Sequence, residues 1–177
     1  KFLNETNNDC QVSKTNTSLK LNHTCILRHG VEDNSTQSFI SCIASALFYV
    51  QTENNRPLIQ KFLPNAKNDV PSVKEMKKII IDTLDFDNFI KYQNGDLITT
   101  FSNPDIVINI NNYKKTVLYE KMINLENNES NTNFIIKLAQ SFENFKRFLN
   151  DDKIIIDYMY LWDLICIPNE NLFEFGI

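Results

Sequence analysis

The chain reads as a helix-rich α+β domain, and three features lead there. Apolar residues recur at spacings of three and four over several stretches of helical length. Recognisable helix starts and stops separate these stretches. Two short β-branched runs interrupt them in the middle of the chain. Composition supports a buried core: of 177 residues 42% are hydrophobic, Phe numbers 13, and the formal net charge is −4. That length is ample for one domain.

Residues 1–24 are polar, rich in Asn, Thr, Ser and Lys, and without periodicity. Such a segment buries too little apolar surface to order itself and is expected to be a loosely packed arm. Residues 25–177 are expected to form a single globular domain. The chain begins at Lys1, without an initiator Met, and stops at Gly176-Ile177 after an apolar stretch, so we expect a piece of a longer protein.

Cys25-Ile26-Leu27-Arg28 reads as a strand or extended lead-in, and Gly30 permits a turn. Asp33-Asn34-Ser35 then offers N-cap side chains. The helix from about Thr36 to Gln51 places Phe39, Cys42, Ile43, Ala46, Leu47 and Val50 on one stripe, which is expected to face the core. Ser38, Ser41, Ser45, Ala44 and Ala46 keep this helix thin enough for another element to pack close. Pro57 to Leu63 suggests a shorter helix.

Ser72-Val73-Lys74-Glu75 matches a capping box, and the helix it opens should turn Val73, Met76, Ile80 and Leu84 inward. Phe86, Phe89, Ile90 and Tyr92 form another amphipathic stretch, closed by Asn94-Gly95. Leu97 to Phe101 and Ile106 to Ile110 read as short strands. Tyr113 to about Leu125 is helical by pattern, and Asn127 to Asn133 reads as an exposed loop. A long helix from Phe134 to Leu149 should bury Ile135, Leu138, Phe142, Phe145 and Leu149. Ile154-Ile155-Ile156 reads as a buried strand, Tyr160 to Ile167 as a short apolar helix ended by Pro168, and Leu172 to Ile177 as another apolar piece.

Several chemistries are disfavoured by the residues themselves. Three glycines leave no phosphate-cradling loop, and no Cys-x-x-Cys pair or Asp-x-Asp-x-Asp-Gly loop provides a metal site. No cofactor is expected. There is no sustained basic patch for nucleic acid and no apolar run long enough to cross a bilayer, so no membrane association is expected. Cys10, Cys25, Cys42 and Cys166 are too sparse for a disulfide scaffold and are expected to be reduced thiols. Abundant Asn, Lys and Ile is what an AT-rich genome produces. Sequons at Asn4, Asn16, Asn22, Asn34 and Asn128 leave open a secreted or surface binding domain of an AT-rich parasite.

The residues with nucleophile or base chemistry are Ser38, Cys42 and His29. Ser38 falls in the first turn of its helix, where the dipole favours developing negative charge. Cys42 lies further in, on the expected apolar stripe, and the alternative for it is a core thiol. His29, before Gly30, is otherwise a turn residue, and no histidine follows it, which excludes a downstream catalytic His within this segment. Trp162 with Tyr158, Tyr160 and Phe173 makes an aromatic cluster suited either to a core or to a partner surface. Asp163, between Trp162 and Leu164, suits a half-buried hydrogen-bond anchor. Lys91-Tyr92 and Lys146-Arg147-Phe148 pair cations with aromatics, as either solvated helix faces or a nucleic-acid contact.

Three stretches together carry a resemblance. They are Leu27-Arg28-His29-Gly30-Val31 leading into Gln37-Ser38-Phe39-Ile40-Ser41-Cys42-Ile43-Ala44, then Ile90-Lys91-Tyr92-Gln93-Asn94-Gly95, and Ser141-Phe142-Glu143-Asn144-Phe145 through Tyr160-Leu161-Trp162-Asp163-Leu164-Ile165-Cys166. Over most of residues 25–177 the chain resembles the N-terminal region of the large subunit of the viral early transcription factor of large cytoplasmic DNA viruses. That resemblance implies a non-catalytic segment of a promoter-binding factor. Its implied partners are other viral transcription proteins, namely the factor's small subunit and the viral RNA polymerase. Promoter DNA would be bound through other parts of the full-length protein, in the host cytoplasm, with packaging in virions. Tyr160, Trp162 and Asp163 are the expected interaction residues.

A second resemblance concerns fold. Asp33-Asn34-Ser35-Thr36-Gln37-Ser38-Phe39 is similar in layout to the segment opening the nucleophile helix of ovarian-tumour-type (papain-like) cysteine proteases, and Tyr160 to Leu164 is similar to their late Trp-and-acidic helix. It implies a papain-like helical domain with a small sheet. Ser38 stands where the cysteine would be and the family's late histidine is missing, so this resemblance implies a degenerate deubiquitinase-like site.

Overall fold

The computed structural model describes residues 31–49, 70–125 and 128–167. The chain divides between Gly30 and Val31, and all of the described residues belong to the second unit. The polar arm, Cys25 to Arg28, His29, Pro57 to Leu63 and Leu172 to Ile177 lie outside the described residues.

The described residues are helix-rich, with no strand among them. The elements in order are α1 (Ser38–Tyr49), α2 (Val73–Thr83), the single turn α3 (Phe86–Phe89), α4 (Asp96–Thr100), α5 (Val117–Ile123), α6 (Asn128–Asn150) and α7 (Trp162–Cys166). Short 3-10 turns occupy Tyr92–Gly95, Ile110–Tyr113 and Tyr158–Tyr160.

The longest helix, α6, is the spine. Ile135, Leu138, Phe142, Phe145 and Leu149 are all buried along one side of it, as their spacing requires. α2, α4 and α5 each pack against α6, and α1 packs on α2. An aromatic ladder fills the space between. Phe86 meets Phe142 at 5.5 Å and Tyr113 at 4.9 Å. Phe89 meets Phe142 at 5.2 Å and Phe145 at 5.3 Å. Phe101 then meets Phe145 and Phe148, both at 4.9 Å. Tilted, edge-on and stacked rings at these separations add to the burial that drives the core together.

The helix starts are local chemistry read directly from the sequence. Ser72 and Glu75 form the reciprocal capping box at α2. The Ser72 hydroxyl and amide hydrogen bonds hold the Glu75 carboxyl below its usual range. Glu32 adds a tertiary cap, its carboxylate accepting from the Val73 amide at 2.8 Å. At α5 the Thr116 hydroxyl accepts from Tyr119, and the Asp87 carboxylate accepts from the Val117 and Leu118 amides at 2.8 and 2.9 Å. Acidic groups at both helix starts also face the positive end of the dipole.

Four expectations need correction. Leu97 to Phe101 is not a strand: Asp96–Thr100 is α4, which buries Leu97 and Phe101 four residues apart against α6. Tertiary burial on a helical spacing here outweighs the β preference of Ile98, Thr99 and Thr100. Ile106 to Ile110 carries no ladder; Ile106 is buried while Val107 is 95% exposed, and Gln140 of α6 donates to the carbonyl of Ile106. Ile154-Ile155-Ile156 is not a strand but a strap entered through a bend at Ile154, tied by the Ile156 amide to the Thr36 carbonyl at 3.0 Å. Only Ile156 of the three is fully buried. Finally, Asn128 to Asn133 is not loop but the start of α6, since extension of a packed helix outweighs the weak propensity of Asn, Ser and Thr.

Candidate interaction surface

The entrance to α1 is built as a lock. The Asn34 carboxamide oxygen accepts from the Thr36 amide and hydroxyl and from the Gln37 amide, at 3.1, 3.2 and 2.8 Å, which caps the incoming turn. Gln37, 1% exposed, then donates from Nε2 to the carbonyls of Asp151 (2.8 Å) and Ile154 (3.1 Å). Lys77 of α2, 4% exposed, converges on the same segment, donating to the Asp151 carbonyl at 2.9 Å and the Asp152 carboxylate at 2.7 Å. These ties fix the start of α1 to the strap that follows α6.

Ser38 opens α1, in its first turn as expected, but Cys42 does not sit as the predicted stripe placed it. Ile40, Ile43, Ala44 and Leu47 are buried together with Ser41 and Ser45, whereas Ser38 and Cys42 are exposed and Phe39 and Ala46 are half-buried. The buried face is therefore turned from the expected one towards its small residues, because α2 packs close there and serine and alanine permit that approach. Cys42 is a surface thiol and not a core one. The described residues contain no histidine that could serve either Ser38 or Cys42 as a base, and His29 lies outside them. Among the described residues no group of three His, Cys, Asp or Glu converges to hold a metal. No helix among them is long and apolar enough to cross a membrane.

Of the paired cations and aromatics, Lys91 and Arg147 are exposed, while both aromatics and Lys146 are engaged in the fold. Lys146 stands 4.2 Å over the Phe142 ring and pairs with Glu143 at 3.1 Å, while Tyr92 is buried and Phe148 packs in the ladder. Neither aromatic is free to stack on a base. Burial, and then the charges of Asp85 and Asp163, push the Tyr92 hydroxyl well above its ordinary range.

What stands out at the surface is aromatic. Phe39 meets Tyr158 edge-on at 6.2 Å, and Tyr158 meets Trp162 edge-on at 6.3 Å. Tyr158 and Trp162 are each 54% exposed, Met159 is 50% exposed, and Ile155 on the strap is also exposed. This face joins α1 to the Tyr158–Tyr160 turn and α7. Aromatic and methionine side chains of this kind are enriched where proteins dock. Of the predicted interaction residues, Trp162 lies on this face. Tyr160 does not: it is half-buried and packs on Phe148 at 4.9 Å and Phe101 at 5.8 Å. Asp163 is half-buried and its carboxylate accepts from the Gln93 amide at 2.5 Å.

Sequence reasoning missed the half-buried Phe39 and the exposed Met159 as parts of this face and Gln93 as the anchor's partner. Gln93 and Asn94 adopt left-handed backbone (φ 50° and 55°), followed by Gly95 at φ 93°. Glycine accepts this freely and asparagine tolerates it, whereas for Gln93 it costs on the order of 1–2 kcal/mol. The Asn-Gly pair was the legible signal for this turn; that the bend would reach back to the residue before it was not.

Comparison of the chain with protein-family models, with curated proteins and with solved structures finds no significant match in any of the three.

Proposed function

We propose that this chain is a non-catalytic protein-interaction domain that docks through the Phe39–Tyr158–Trp162 face. The observation that carries the proposal is that face itself: three rings in an edge-on chain, two of them more than half exposed, on a segment tied down at several points. Rigid aromatic side chains contribute large contact area at small entropic cost, which is what an anchoring residue needs. No histidine follows His29 in the sequence, so the late base of the papain-like order does not stand within this segment, which supports the non-catalytic side of the proposal.

The resemblance in sequence supplies the partner class. On that basis the domain belongs to a large-DNA-virus early transcription initiation factor and binds the factor's small subunit or the viral RNA polymerase. Promoter DNA is contacted elsewhere in the full-length protein, and the site of action is the host cytoplasm and the virion. The test is binding of the full chain to purified small subunit and polymerase, comparing wild type with Trp162→Ala and Ser38→Ala. Trp162→Ala should weaken binding by roughly tenfold or more, the loss of a hot-spot residue, and Ser38→Ala should leave it unchanged. Absence of wild-type binding to either partner sinks the transcription reading. Labelling by a ubiquitin-based activity probe that depends on Ser38 or Cys42 overturns the non-catalytic one.

A further inference from the structure

We infer that Asp163 is a positioning residue, whose carboxylate clamps the left-handed Gln93–Gly95 turn and thereby holds Trp162 in its outward setting. This inference rests on the reading of the aromatic face as a docking surface and adds the device that presents its central ring.

Two observations meet at this point. The first is the turn: Gln93 and Asn94 lie in a backbone region that side chains disfavour, and such conformations persist only where surrounding contacts over-determine them. The second is what those contacts are. The Gln93 amide donates to Asp163 Oδ2 at 2.5 Å, and the Gln93 side chain donates to the Met159 carbonyl. The two acceptors, at positions 159 and 163, bracket Trp162 in sequence. A charge-assisted bond from a backbone amide is among the stronger single contacts available.

The helix carrying Trp162 cannot set its own direction. α7 has five residues, far too few to be stable by helix formation alone. Leu161, Leu164 and Ile165 bury one side of it, and Asp163 ties it laterally to the turn. With the clamp closed, the ring of Trp162 is left against Tyr158 and solvent. With it open, only the apolar side restrains the helix.

Trp162 is the sole tryptophan of the chain, so its fluorescence reports this site directly. The experiment compares the full wild-type chain with Asp163→Ala by acrylamide quenching and time-resolved anisotropy, with far-UV circular dichroism to confirm folding. In folded Asp163→Ala the quenching constant should rise by about twofold and a fast, nanosecond component should enter the anisotropy decay. Unchanged quenching and anisotropy in a folded Asp163→Ala overturn the inference, because a merely structural aspartate would lower stability without loosening the ring. Should Asp163→Ala not fold, Asp163→Asn takes its place, since it keeps an acceptor oxygen but not the charge. There, exchange of the Gln93 amide accelerated roughly tenfold, together with a looser Trp162, supports the clamp. Accelerated Gln93 exchange with a Trp162 signal identical to wild type overturns it. None of these measurements needs a partner, so failure of partner binding sinks the docking reading and leaves the clamp result standing.

Discussion

Replacing Gln37 by alanine separates a structural from a catalytic account of the start of α1. Gln37 is 1% exposed, and its Nε2 donates to the carbonyls of Asp151 at 2.8 Å and Ile154 at 3.1 Å. A typical intramolecular hydrogen bond contributes about 1 kcal/mol net, and a buried acceptor left without its donor costs about 1–3 kcal/mol. The two carbonyls are not equivalent. Asp151 keeps the Lys77 ammonium at 2.9 Å, whereas Ile154, half-buried, loses Gln37 outright. With the side-chain volume removed from a closed site, the substitution should cost about 2–3 kcal/mol. The assay is urea unfolding followed by far-UV circular dichroism. For a slope of about 2 kcal/mol per molar, the midpoint should fall by roughly 1–1.5 M. Ser38→Ala, one residue along and exposed, should change stability by less than about 0.5 kcal/mol. A Gln37→Ala variant within about 0.5 kcal/mol of wild type, or a Ser38→Ala variant costlier than it, would refute the lock.

Three further outcomes are expected. Phe145, buried on α6 and packed between Phe89 and Phe101, should cost about 3–5 kcal/mol on replacement by alanine in the same unfolding assay, and a loss below about 2 kcal/mol would contradict its place in the core. Tyr92 is pushed above the ordinary tyrosine value of 10.0 chiefly by burial, and Tyr113 by burial and then its bond to Glu143. Both hydroxyls therefore stay protonated in the fold at pH values where they ionise in the unfolded chain. Stability is intact below about pH 10 and falls as pH rises beyond it, by at most about 1.4 kcal/mol per pH unit per tyrosine; Tyr92→Phe should flatten the fall in alkaline melts. At the acid end, the Lys77 hydrogen bond and charge hold Asp152 below its ordinary 3.8, and the Ser72 hydrogen bonds hold Glu75 below 4.5. Their stabilisation is present above those ordinary values and is lost as pH falls through the lowered ones, so Lys77→Met should give a shallower acid limb in a pH series of melting temperatures.

The stripes on α2 and α6, the capping box at Ser72 and the Asn34 cap were all legible because each is decided within a few residues. Helical spacing and cap chemistry act locally, and here local preference and tertiary packing agree. Errors fell where the two compete. Ile98, Thr99 and Thr100 favour extended backbone, but Leu97 and Phe101 could both reach α6 only as a helical turn. On α1 the apolar residues were spread widely enough that two stripes were available, and the close approach of α2 selected the one lined with Ala44, Ser41 and Ser45. That choice moved Cys42 to the surface.

What the sequence determined by itself is a helix-rich domain with a Phe-rich core on α6 and the turn at Asn94-Gly95, since periodicity and capping are properties of neighbouring residues. It also singled out Trp162 and Asp163, which the fold places on the exposed face and at the clamp on Gln93. The tertiary structure alone decided which aromatics are buried and which are shown. Tyr158, Tyr160 and Trp162 lie within five positions, yet Tyr160 turns into the ladder while Tyr158 and Trp162 face outward, Tyr158 against the half-buried Phe39. The physical reason is that a short segment has no period of its own. Its orientation is set by bonds to residues far away in the chain, from Gln37 and Lys77 to the strap and from Gln93 to Asp163.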